Sequence, residues 1–162
     1  MNHTHILAAT AAIALSCIPA AAKFPSVDET VAAFKAANGA VEESAKGSAT
    51  YYIARDASGN AVKVAYLKET RGYKGKLDLF VVVVKGAGGL AFESVQIVEG
   101  KNVYKEVTKG AEAAFLKQFS GKTADQKLKV DAMTSATQTS KTITRAIEQE
   151  QKNVAALFNA KK

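Results

Sequence analysis

The stretch LDLFVVVV, residues 77–84, sets the strictest condition on the fold. Its β-branched and aromatic side chains mark it as a strand, and after Asp78 it shows no polar alternation. A strand with one face in water alternates apolar and polar residues, so a strand without alternation is covered on both faces. The chain must therefore supply cover on each side of at least part of it. A second run, residues 90–98, follows KGAGG and reads as the returning arm of a hairpin. The glycines of GAGG, residues 86–89, sit between two strands and open no helix, which makes them a hairpin tip and not a phosphate loop.

Residues 50–55 and 61–67 are likewise rich in strand formers, and Asp56-Ala57-Ser58-Gly59-Asn60 between them has the composition of a turn. Cover for the two hairpins comes from three helical patterns. Ser26 and Glu29 have capping-box spacing ahead of Val27, Val31 and Phe34, and Asn38-Gly39 closes that pattern. Residues 111–119 carry Phe115 and Phe119 on one face, with Gly121 as the stop. An amphipathic helix over 137–158 places Ile143, Ala146, Ile147, Val154, Leu157 and Phe158 on one stripe, with Glu148 and Lys152 spaced for an ion pair. A loop is expected over 99–108 and a last short strand over 127–130. The fold class predicted is α+β: an antiparallel sheet of two hairpins packed with helices.

The first 22 residues read as a signal peptide, apolar or small from Ile6 and ending in Ala20-Ala21-Ala22. The run is shorter than the roughly 20 residues of a membrane-spanning helix. Cleavage before Lys23 would leave one domain, residues 23–162, in the periplasm or secreted. A lipid anchor at Cys17 is the alternative, although Leu15 sits one place too close for a good lipobox. Cys17, His3 and His5 are the only cysteine and histidines in the chain. The processed protein would have neither residue type, which excludes disulfides, Cys-ligated iron–sulfur clusters, zinc sites of the Cys/His kind and His-based catalytic triads. The net charge is +7. Its basic residues are mostly lysines scattered along the chain, so they describe a solvated surface and no nucleic-acid groove.

The segment VDAMTSATQTSKTITRAI, residues 130–147, holds five hydroxyls, on Thr134, Ser135, Thr137, Thr139 and Ser140, just ahead of the last helical pattern. One cap needs one hydroxyl. The surplus either satisfies local turns or surrounds a phosphate, since a helix N-terminus presents unpaired N–H groups and the positive end of its dipole. Ala132, Ser135 and Ala136 are small enough to let a phosphate come close.

Asp131-Ala132-Met133-Thr134-Ser135-Ala136-Thr137 resembles the flavinylation motif D-x-x-[ST]-[GS]-A-T of the FMN-binding domain family. That family includes the G subunit of the Rnf complex and the C subunit of the sodium-translocating NADH:quinone reductase. The resemblance runs over about residues 50–147. It takes in Gly72-Tyr73-Lys74-Gly75, the strand pair after it, and FLKQFSGK at 115–122. It implies covalent FMN on Thr137 through a phosphoester, with Asp131, Thr134, Ser135 and Ala136 as the recognition frame. A flavin transferase would make the bond outside the cytoplasm. It also implies an electron carrier between redox partner proteins, with no substrate-converting site of its own and membrane contact only through a partner or the lipid anchor. An acidic partner would be steered by the basic surface.

Tyr73 either stacks on the flavin ring or fills the core, and Met133 has the same two options. Lys74, Lys101 and Lys105 either pair with the phosphate or reduced flavin, or are ordinary surface lysines. The chain departs from the family's pattern at residues 99–106, EGKNVYKE, where many members have a Glu-Thr-Pro-Gly-Leu-Gly type loop that approaches the ring. Ser135 stands where glycine is commoner. Two competing readings are a cofactor-free binding or interaction module in which the hydroxyls only cap the helix, and a flavin reductase holding FMN noncovalently.

Overall fold

The computed structural model describes residues 24–105 and 110–160. The expected signal peptide and Cys17 lie outside the described residues, as does the end of the expected 99–108 loop. The elements run α1 (Val27–Asn38), β1 (Val41–Lys46), β2 (Ala49–Arg55), β3 (Ala61–Gly72), β4 (Gly75–Gly86), β5 (Gly89–Val98), α2 (Ala111–Lys117) and α3 (Thr137–Asn159). The five strands form one antiparallel meander in the order β1-β2-β3-β4-β5. No helix among the described residues is long and apolar enough to cross a membrane.

The run at 77–84 becomes β4, and both its faces are covered as its composition requires. Leu79, Val81 and Val83 join Tyr51, Val64 and Tyr66 under Phe115, Ile143 and Ile147. Phe80 and Val82 face the other way, into a second cluster with Tyr52, Ala65, Val98 and Phe34 of α1. The Phe34 and Phe80 rings meet edge-on at 6.1 Å. Helix α1 starts with the expected capping box: Glu29 N donates to Ser26 Oγ at 3.2 Å, and Ser26 N donates to Glu29 Oε2 at 3.0 Å. It ends at Gly39, whose φ is 70°.

Four details differ from the sequence-based expectation. Strand β1 adds an edge to the two expected hairpins, pairing with β2 from Val41↔Ala54 to Lys46↔Ala49. Residues 127–130 form no strand. The free side of β5 is already taken, since Gly121 N donates to Phe92 O and Ala124 N to Leu90 O, each at 2.8 Å. Leu128 N donates instead to Glu148 Oε1 at 3.0 Å, so Glu148 serves that segment and makes no ion pair with Lys152. Helix α2 stops at Lys117, and residues 118–120 continue as tight i→i−3 turns.

Candidate flavin site at the start of α3

The turn between β3 and β4 and the first turn of α3 meet at one end of the sheet. Gly72 makes this approach possible: a Cβ there would lie 3.2 Å from Leu77 Cδ2 and 3.3 Å from Thr139 Cγ2. Tyr73 N then donates to Thr139 Oγ1 at 2.9 Å. Thr139 is fully buried. Its hydroxyl therefore ties the Gly72-Tyr73 turn to the motif and takes no part in capping.

Ser140 does similar work inside the segment. Its Oγ accepts from Met133 N at 2.9 Å and donates to Ala136 O at 3.0 Å. With Ala136 N donating to Met133 O at 3.0 Å, residues 133–136 fold into a closed turn. Ser135 has φ 61°, and among the described residues it is the one non-glycine with positive φ. Outside, Gln118 holds the entry to the motif, accepting from Asp131 N at 2.9 Å and donating to Asp131 O at 3.1 Å.

The hydroxyls thus divide in two. Thr139 and Ser140 lock the turn from within, while Thr134, Ser135 and Thr137 are exposed and their hydroxyls make no hydrogen bond among the described residues. The N-cap of α3 is Ala136, and no side chain caps the helix. Its first intrahelical bond is Ser140 N to Ala136 O at 3.0 Å, so the N–H groups of Thr137, Gln138 and Thr139 have no intrahelical acceptor. A macrodipole adds roughly half a positive charge at that end. An exposed threonine hydroxyl beside unpaired donors is suited to a phosphate group.

Tyr73 is 70% exposed, which excludes a core position, and its backbone N–H is bonded to Thr139 just beyond the motif. Met133 is 4% exposed and belongs to the core cluster. Val103, at 69% exposed, is a second bare apolar side chain in this region. Its neighbour Tyr104 is buried, packs on Phe24 at 5.8 Å and donates its hydroxyl to Glu112 at 3.2 Å. Asn102 anchors the same loop, donating its backbone N–H and its Nδ2 to the Asp78 carboxylate at 3.0 and 3.1 Å. Lys74 and Lys105 are exposed, and exposed Lys101 borders a groove on the α1 side of the sheet.

That groove has a volume of about 680 Å³, yet it suits a flavin phosphate poorly. Asp28, Glu69, Asp78 and Glu99 line it against one cation, Lys101, and carboxylates repel a phosphate. A hydrogen bond from Lys76, then one from Asn102, holds the Glu69 carboxyl below the usual range, so it stays charged. The sequence motif and this groove therefore lie on different faces, and the electrostatics favour the motif.

The family model of the FMN-binding domain matches residues 45–150, from the end of β1 into α3. The chain belongs to the FMN-binding domain family. No curated protein matches it. FMN is the cofactor that this family implies. Thr137, the unpaired N–H groups behind it and the Gly72-Tyr73 turn all fall within the matched residues, whereas α1 lies before them. The residues present fit the group: a bare hydroxyl, donors for a phosphate, small neighbours and an exposed aromatic.

Proposed function

We propose that this FMN-binding domain holds its FMN covalently, through a phosphoester to Thr137 Oγ1, and relays electrons between redox partner proteins outside the cytoplasm. The observation that carries the reading is the division of the hydroxyls. Thr137 is exposed at an uncapped helix N-terminus, while Thr139 and Ser140 spend their oxygens fixing that terminus in place. When bound, FMN supplies the reversible electron chemistry. The chain's own residues bind and orient: backbone N–H groups of Thr137 to Thr139 face the phosphate charge, and the Tyr73 ring offers a stacking surface. Ser135, Ala136 and Ala132 leave room for a flavin transferase to reach the hydroxyl.

The test is the intact mass of the parent and Thr137→Ala chains after denaturation, each exported from a host that makes the transferase. The expected result is one FMN less one water on the parent alone, mapped to the peptide with Thr137. A bare parent mass, in a host that flavinylates a control domain, ends the covalent reading. Yellow protein that loses all colour on denaturation supports noncovalent binding in its place.

A further inference from the structure

A second groove, about 330 Å³, runs along the flank of α3 that Thr137 heads. Phe115, Leu128 and Val130 form its apolar floor, and Lys127, Lys141 and Arg145 stand around it. Lys141 and Arg145 follow Thr137 at i+4 and i+8, so they share its helix face at about 6 Å and about 12 Å along the axis. All three cations are exposed. Five cations outside the groove, Lys35, Arg55, Lys63, Lys68 and Lys76, each form an ion pair with a glutamate. Lys127, Lys141 and Arg145 form none among the described residues. Glu148, the one carboxylate in the groove, is turned to Leu128 N.

We propose that this groove is the docking site for an acidic segment of the redox partner, with an apolar side chain on the floor and carboxylates against Lys127, Lys141 and Arg145. The proposal rests on the reading of Thr137 as the flavin position, because docking here brings a partner alongside that residue. Charge complementarity selects the occupant. Uncompensated cations around a concave apolar floor favour an anionic polypeptide, and placing them next to the redox group turns electrostatic steering into a productive encounter. The carboxylate-lined groove on the α1 face would repel the same partner, which fixes its orientation.

The experiment uses the flavin-free full chain, nitrogen-labelled, and a short Asp/Glu-rich peptide with a central leucine as the probe. Saturable shifts are expected at the amides of Leu128, Val130, Ala132, Lys141 and Arg145. Affinity should fall about tenfold or more in the K141E/R145E double variant and weaken as salt rises. K141Q/R145Q, which removes charge without reversing it, serves the same purpose if the reversed variant folds poorly. Shifts spread over unrelated lysines, or undiminished in both double variants, overturn the proposal. So does inorganic phosphate moving the same amides when the peptide does not, or salt-labile self-association abolished by R145E, which would assign the groove to a second copy. Because the titration needs no FMN, its failure leaves the Thr137 reading intact. A bare mass at Thr137 would in turn leave the peptide result standing.

Discussion

Ser135 concentrates the local cost of the motif. A left-handed φ of 61° costs an L-residue about 1–2 kcal/mol, whereas glycine adopts it freely but loses roughly 0.5–1 kcal/mol more chain entropy on folding. Since the Ser135 side chain is exposed and makes no hydrogen bond among the described residues, the first effect wins. Ser135→Gly should raise stability by about 0.5–1 kcal/mol, read as a higher urea midpoint at an unchanged slope. A lower midpoint would mean that the serine side chain holds the turn after all. The motif's position was legible in the sequence, because a hydroxyl-rich segment before an amphipathic helix is unusual; the roles of its members were not. Which hydroxyls are buried depends on the Gly72-Tyr73 turn, sixty-odd residues earlier in the chain, approaching Thr139. Gln118 was invisible for the same reason: its two bonds to the Asp131 backbone exist only once α2 and the motif are side by side.

At the scale of elements, α3 is fastened to the sheet by a buried charge pair as well as by its apolar stripe. Lys68 Nζ of β3 lies 2.6 Å from Glu150 Oε1. Glu150 Oε2 accepts from the Tyr51 hydroxyl and, at 2.9 Å, from Asn153 Nδ2. Burial pushes the Glu150 carboxyl up, but the hydrogen bonds from Lys68, Tyr51 and Asn153 outweigh it and hold the group below a free glutamate's 4.5. A depressed carboxylate pKa contributes stability above the unfolded value that is lost as pH falls through the folded one. The contribution is therefore whole at neutral pH and drains away below about 4.5. Glu150→Gln leaves Lys68 buried without its counter-charge and should cost about 3–5 kcal/mol at neutral pH, with a flatter loss of stability in acid. The double variant K68M/E150L should cost less than Glu150→Gln or Lys68→Met alone, since it leaves no orphaned charge; urea unfolding of the parent and these three variants at two pH values checks both statements. The strand pattern itself was readable where side chains decide it, as in the doubly covered β4. It was unreadable in β1, whose VEESAK is a poor strand former. It was misread at 127–130, where the edge that such a strand would pair with is occupied by residues 121–124.

Across the whole molecule, the sheet separates two jobs. Helices α2 and α3 bury one face and position the motif, while α1, which precedes the residues matched by the family model, closes the other. Its dock is close: a Cβ on Gly100 would come 2.5 Å from Val27 Cγ2, and Val27 N donates to Glu99 O at 3.0 Å. Phe34, 7% exposed, is the main apolar anchor of α1 on Phe80 and Val82. Phe34→Ala should cost about 3–5 kcal/mol through lost burial and the cavity left behind. None of the contacts that shape the motif runs through that residue, because Thr139, Ser140, Gln118 and the Gly72 turn all lie on the α3 side or at its end of the sheet. The folded variant should therefore accept FMN as fully as the parent, and its flavin absorbance per chain should match. A variant that folds but stays colourless would show that α1 and the motif are coupled through the sheet. The loop at 99–105 would be the path, since Asn102 binds Asp78 on the α1 face and Tyr104 packs against Gly72 beside the motif.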